Sequence, residues 1–150
     1  MVLIRRVCAE DIVTVVRLAS ENLPERYNPA IFNHFYEQFP QGFLVAEDQG
    51  SLVGFLIGVK TSHTTARILM LAVVSSQRRK KIGSLLLHHF IETMELYQIN
   101  IIELEVRTSN TQAIGFYTKH GFIIQDTLKN FYQNHEDAYL MILPLRINHH

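Results

Sequence analysis

Between Ile101 and Phe122 the apolar spacing changes once, from every second residue to a helical pattern. Ile102, Leu104 and Val106 alternate with Glu103, Glu105 and Arg107, which predicts a strand over 101–107 with one apolar and one charged face. Asn110 then stands as a strong helix-capping residue. A short helix is expected over Thr111–Lys119, closed by His120-Gly121 with Gly121 as the residue just beyond the helix end. A strand that feeds a helix through so short a turn restricts the chain to an α/β or α+β architecture.

The remaining segments extend that pattern. Val2–Val7 is rich in branched apolar residues and reads as a strand. Ile12, Val15, Val16 and Ala19 recur at helical spacing within Ala9–Asn22, with Asp11 suited to the helix start, and Leu23-Pro24 ends that helix. Pro29 opens a second helix that carries Ile31, Phe32, Phe35, Tyr36 and Phe39 and stops at Pro40. Gly42–Glu47 and Leu52–Lys60 form a hairpin about Asp48-Gln49-Gly50-Ser51. Arg67–Val74 is a nearly continuous apolar run, as expected of a strand buried on both faces. Ile82–Tyr97 is the strongest helix, with a stripe of Ile82, Leu85, Leu86, Phe90 and Met94. Phe122–Thr127 and Ala138–Leu143 finish as strands. The order β-α-α-β-β-β-α-β-α-β-β predicts a mixed α/β sheet layered with helices, in a single domain over 1–150.

Composition narrows the function classes. Fourteen lysines and arginines balance fourteen acidic residues, so no global field draws the chain to nucleic acid or to an anionic membrane. Cys8 is the single cysteine, which excludes an intrachain disulfide and a multi-cysteine metal site. It is expected as a small buried residue at the end of the first strand, with a catalytic thiol as the alternative. The N-terminal residues turn charged too early for a signal peptide, and no apolar run reaches the roughly 20 residues of a membrane span. The chain reads as soluble and cytoplasmic, without a metal. His149 and His150 are assigned no function.

Two constellations carry chemistry. The first is Gln77-Arg78-Arg79-Lys80-Lys81-Ile82-Gly83-Ser84, between the apolar strand and the strong helix. Unpaired N–H groups at a helix start attract phosphate, the cations add attraction, and Gly83 lets a ligand approach the backbone. The alternatives are a solvated basic turn or a nucleic-acid contact, the latter without the basic surroundings such a footprint has. The second is Glu105, Arg107, Ser109, Asn110 and Tyr117 in one strand–loop–helix unit. Ser109 and Asn110 read equally as caps, and Tyr117 as a core ring whose hydroxyl seeks a partner. Glu105 reads either as part of a solvated face or as a buried charge that must be paired or used.

The two segments together resemble the GNAT superfamily of N-acetyltransferases. The resemblance lies in Gln/Arg-x-x-Gly-x-Gly/Ala opening a helix and Asn-x-x-Ala-x-x-x-Tyr-x-x-x-Gly-Phe after it. Leu104–Phe122, Glu21–Tyr27 and Asn130–Met141 are similar in particular to the RimI-like and arrest-defective-like N-terminal acetyltransferases. One departure is Lys81, which stands where the family keeps its first glycine; another is Arg67, where some relatives place His or Tyr near the acceptor. The resemblance implies the GNAT fold, a mostly antiparallel sheet of about seven strands with helices on both faces. It implies acetyl-CoA as donor and an amine as acceptor, with direct transfer in a ternary complex. Leu71, Ala72 and Val73 would pair with the pantetheine arm, and Arg78, Arg79, Lys80, Lys81, Ile82, Gly83 and Ser84 would hold the pyrophosphate. Asn110 and Tyr117 would line the CoA side. Glu105 would be the general base through water, and Tyr117 the general acid. Leu23, Pro24, Glu25, Tyr27, Arg67, Phe131 and Tyr132 would contact the acceptor, and a homodimer or an auxiliary subunit is compatible with the family.

Proton accounting selects among amines. Exposing the neutral form at pH 7 costs on the order of 1 kcal/mol for an α-amine and roughly 4.6 kcal/mol for a lysine. One carboxylate, its pKa raised by the neighbouring Glu103, suits the N-terminal α-amine of a protein or peptide. Lysine side chains or polyamines are the alternative acceptors, and a CoA-binding sensor without catalysis is a rival from another class.

Overall fold

The computed structural model describes residues 1–146, apart from the side chains of Arg78, Arg79 and Lys80; His149 and His150 lie outside the described residues. The strands are β1 (Val2–Arg6), β2 (Phe43–Asp48), β3 (Ser51–Lys60), β4 (Thr65–Val73), β5 (Ile101–Arg107), β6 (Ile123–Leu128) and β7 (Ala138–Pro144). The α-helices are α1 (Ile12–Asn22), α2 (Ala30–Gln38), α3 (Ile82–Leu96) and α4 (Thr111–Lys119). One seven-stranded sheet runs β1-β2-β3-β4-β5-β7-β6. Only β4 and β5 pair in parallel, as a connection through α3 requires, and every other pair is antiparallel.

Two apolar clusters cover the sheet. On one face α3 packs Ile82, Leu86, Leu87, Phe90 and Met94 against Leu44, Ala46, Val53, Leu56, Ile102 and Leu104, with α4 beside it. On the other, α1 and α2 pack Val15, Leu18, Ala19 and Phe32 against Phe43, Val45, Phe55 and Ile57. The helical stripe differs from expectation at one position: Leu85 is 42% exposed while Leu87 is fully buried. The row 82, 86, 90, 94 faces the sheet, and its broad flank is the Leu87 side. In α1, likewise, Leu18 is buried and Val16 only half-buried. Ala9–Asp11 forms a separate 3-10 turn before α1.

Cys8 is exposed rather than buried. It lies two residues past β1, at the turn, where its backbone N–H donates to Asp11 Oδ2 (2.7 Å) and Arg5 pairs with Asp11 at 2.8 Å. That polar corner leaves no apolar wall for the thiol to enter.

The apolar run of β4 is covered on both faces but only partly; fully buried and half-buried residues alternate along it. A bulge explains why it reads as continuous. Ile68 pairs with Gly58 and Met70 with Ile57, so Leu69 is the extra residue. Ala66 and Ile68 therefore face the α3 cluster, while Met70 and Ala72 face the α1–α2 cluster. The strands buried on both faces are β2 and β3.

Candidate active site

The parallel ladder between β4 and β5 holds only Thr65–Ile101, Ala66–Ile102 and Arg67–Glu103. Beyond that rung, and beside the Leu69 bulge, the strands part into a fork. A cavity of about 290 Å³ opens in it, walled by 68–71 of β4, Glu105, Val106 and Arg107 of β5, and Asn110, Ala113 and Tyr117 of the α4 unit. Leu23, Pro24, Glu25 and Tyr27 of the α1–α2 loop close one side, and Phe131 and Tyr132 of the β6–β7 loop close the other. The fork thus gathers six of the seven residues expected at the acceptor, with Glu105, but of the twelve expected at the donor only Leu71, Asn110 and Tyr117. A larger cavity of about 500 Å³ lies on the far side of the α1–α2 loop and shares those four loop residues. It lacks Glu105 and Tyr117, so the chemistry belongs to the fork.

Glu105 projects from the charged face of β5, its side chain 13% exposed, with Oε1 2.8 Å from Arg67 Nη1. Burial pushes its pKa up from the usual carboxylate value, Arg67 pulls against that, and Glu103 adds to the rise. Sequence reasoning assigned the rise to Glu103; desolvation is the larger cause. Arg67, expected at the acceptor, does not line the cavity. Its Nε (3.1 Å) and Nη2 both donate to Glu103 Oε1, so its guanidinium binds two carboxylates instead.

Tyr117 sits on α4 with its ring edge-on to Phe116 (5.2 Å) and Phe122 (5.4 Å). Its hydroxyl has no hydrogen-bond partner among the described residues. Burial holds the phenol well above its ordinary pKa, so it stays protonated across the neutral range. Asn110 caps α4, its Oδ1 accepting from Ala113 N–H at 3.1 Å, and also lines the cavity. Ser109 does not cap; its backbone N–H donates to Glu136 Oε2 at 3.2 Å.

Arg107, which the sequence placed in the second constellation without a role, is a clamp. Its Nε and Nη2 donate to Glu25 Oε1 (2.9 and 2.7 Å), and Nη1 donates to Glu136 Oε1 (2.9 Å) and Asn134 Oδ1 (3.0 Å). Its guanidinium also stacks 3.9 Å over the Tyr132 ring. One side chain thereby ties β5 to both loops that wall the cavity. Burial, reinforced by Glu25, pushes Tyr132 up to about 12 and raises Tyr27. No local sequence signal pairs Arg107 with Glu25, since 82 positions separate them.

At the other end of β4, Ser75–Lys80 forms a 3-10 turn that leads into α3. Lys81 joins the two in a left-handed conformation (φ +59°, ψ +27°), the geometry a glycine adopts without cost. It is not helical there. The first amides of α3, from Ile82 to Ser84, precede the first intrahelical bond, Leu85 N–H to Lys81 O (3.1 Å). A Cβ added at Gly83 would make ordinary contacts with Phe116 (3.4 Å) and Val73 (3.9 Å), so packing within the protein does not demand glycine. Ser84 Oγ lies 2.9 Å from His120 Nε2, a contact absent from the sequence reading. Within β4, Leu71 reaches the cavity, while Ala72 is buried under α1 and α2 and Val73 pairs with Gly54. An unsatisfied helix start beside a forked strand edge has the donor set for a phosphate-bearing ligand with an extended amide arm.

Comparison with known proteins agrees with this geometry. Residues 12–122 match the acetyltransferase (GNAT) family. The chain is 32% identical to an N-alpha-acetyltransferase of Sulfurisphaera tokodaii, over 95% of this chain and 92% of that protein. It superposes on the crystal structure of Ard1 from Thermoplasma volcanium with a TM-score of 0.93, at 38% identity, covering 97% and 98% of the two chains. A chain from the NatC complex bound to Gag peptide and CoA gives a TM-score of 0.90 at 26% identity, covering 97% and 99%. The fork, the helix start at Lys81 and the cavity between the two loops therefore belong to a member of the GNAT acetyltransferase family.

Proposed function

We propose that this chain acetylates the N-terminal α-amine of proteins or peptides from acetyl-CoA, by direct transfer in a ternary complex. The observation that carries the reading is a half-buried carboxylate, Glu105, with a raised pKa, lining a cavity that two loops close into a groove. The names and ligands of the relatives above support it.

Acetyl-CoA supplies the activated acyl group as a thioester. The edge of β4 at Leu71 to Val73 would take its amide arm. The first amides of α3, with Lys81 and the basic turn of Arg78, Arg79 and Lys80, would hold its phosphates. Asn110 and Tyr117 would border it on the α4 side. Glu105 accepts a proton from the incoming ammonium, through water, and its raised pKa suits a base working near neutral pH. Tyr117, neutral at working pH, donates a proton to the leaving sulfur. Leu23, Pro24, Tyr27, Phe131 and Tyr132 form the walls, and the Arg107–Glu25 pair fixes their separation.

The charges in the groove favour an α-amine over a polyamine. Each of the four carboxylates, Glu25 and Glu136 on Arg107 and Glu103 and Glu105 on Arg67, already has a cation partner, so although acids outnumber guanidiniums two to one, none stands unpaired for a polycation. The test compares labelled acetyl transfer to peptides with free N-termini and to blocked peptides bearing one free lysine. Label is expected on the free N-termini. Label only on the blocked, lysine-bearing peptides would overturn the reading.

A further inference from the structure

Arg67 stands on the last rung before β4 and β5 part, directly opposite Glu103 in the parallel register. Glu105 lies two residues further along the same face of β5, about 7 Å on. Two carboxylates so placed repel each other at the vertex of an opening cleft. The guanidinium lies between them, with Nε and Nη2 on Glu103 Oε1 and Nη1 on Glu105 Oε1. Because its planar donors are fixed relative to one another, anchoring two of them on Glu103 dictates where the third points. The strut also crosses the fork where the backbone ladder ends.

We propose that Arg67 is a positioning residue: it uses Glu103 as an anchor to set the orientation and the proton affinity of Glu105. The proposal rests on Glu105 serving as the base. With Oε1 held, Glu105 takes up the proton at Oε2. The two flanking groups act in opposite directions, Arg67 favouring the ionised carboxylate and Glu103 the neutral acid. The other groups around Glu105 are Arg107 on β5, Glu25 and Tyr27 on the α1–α2 loop, Tyr132 on the β6–β7 loop and Tyr117 on α4. Arg107 is tied up by Glu25 and by Glu136 of the β6–β7 loop, the phenols are uncharged at neutral pH, and the charges that act on Glu105 are Arg67 and Glu103. β7 places Leu140 opposite Glu105 and contributes no charge. The Arg67–Glu103 balance is therefore the local control.

The experiment reads the acidic limb of kcat/KM against pH, together with a carboxyl carbon NMR titration of Glu105 in the free protein. Arg67→Met should move both titrations upward by about one pH unit. It should lower kcat about tenfold or more, with the peptide KM changed less than about threefold. Glu103→Gln should move both titrations downward, because it removes the anion and leaves Arg67 wholly to Glu105. Arg67→Lys should fall between wild type and Arg67→Met, and it covers the case in which Arg67→Met does not fold. Titrations unmoved by Arg67→Met, or moved the same way by Arg67→Met and Glu103→Gln, overturn the proposal. So does a loss confined to the peptide KM, which would make Arg67 an acceptor contact. Glu105→Gln separates the two levels. A fully active Glu105→Gln enzyme overturns the base assignment itself. An inactive one whose parent titration ignores Arg67 overturns only the role of Arg67.

Discussion

Lys81 holds a left-handed backbone conformation on an exposed residue with no capping hydrogen bond from its side chain, so Lys81→Gly should stabilise the fold. A left-handed helical conformation costs an L-residue with a Cβ about 1–2 kcal/mol. Glycine removes that cost but loses about 0.5–1 kcal/mol more backbone entropy on folding. The exposed side chain takes little packing with it, which leaves a net gain of about 0.5–1 kcal/mol. For a domain of this size that corresponds to a rise in Tm of about 2 °C. Urea and thermal unfolding followed by circular dichroism measure it, with Lys81→Ala as control. Alanine keeps the strained backbone, so its effect should stay within about 0.5 kcal/mol of wild type. A Lys81→Gly variant less stable than wild type would refute the reasoning, as would a Lys81→Ala variant stabilised equally. The same glycine variant should bind acetyl-CoA about two- to fivefold more weakly, because one cation leaves the helix start.

Gly58→Ala is expected to destabilise by about 1–3 kcal/mol, since its Cβ would lie 2.3 Å from the fully buried Phe90 ring. Phe90→Leu in that background should recover part of the loss in urea unfolding. Tyr117→Phe should lower kcat about 100-fold with little change in stability, because the hydroxyl has no hydrogen-bond partner to lose among the described residues. The wild-type rate should also show no basic limb from Tyr117 in the neutral range, as burial holds the phenol protonated there. The raised pKa of Glu105 makes the folded state bind its proton more tightly than the unfolded chain does. Stability from this group is therefore greatest at low pH and falls as pH rises from the unfolded value of about 4.5 through the folded one. Glu105→Gln should remove that fall, giving at pH 7–8 a protein at least as stable as wild type and nearly inactive. A Tm well below wild type at pH 8 would contradict it.

Elements set by local periodicity were legible: the β5–α4 unit spans Ile101–Arg107 and Thr111–Lys119 as predicted, with Ile102, Leu104 and Val106 inward. The α1–α2 and β6–β7 loop residues also meet at one cavity, as the resemblance implied. Legibility failed where a long-range contact decided. The run Ile68-Leu69-Met70-Leu71 gives no sign of which residue bulges, because an apolar side chain fits either cluster; the register against β3 makes the choice. Leu85 and Leu87 are the same residue type, and only the tilt of α3 over the sheet sorts them. Arg67 and Arg107 were visible as charges, but their partners lie 36 and 29–82 positions away. Lys81 was visible as a departure, and its backbone geometry was not.

The fork is where the cost of opening a sheet and the demands of the site coincide. The β4–β5 ladder ends at the Arg67–Glu103 rung, and backbone left unpaired in a half-buried cleft is unfavourable unless water or a ligand restores the bonds. The Leu69 bulge turns the strand away, so closing the sheet would drive Met70 and Ala72 out of the α1–α2 cluster. Arg67 holds the vertex with charge where the backbone ladder stops, and Arg107 holds the open end by joining both loops to β5. Neither strut fills the cleft between them. An extended ligand with regularly spaced amides would complete the β4 edge and leave Glu105 facing what enters between the loops. On the proposed function, the same splay would separate a donor track along β4 from an acceptor entrance at Tyr27 and Tyr132, with Glu105 as the base where the two meet.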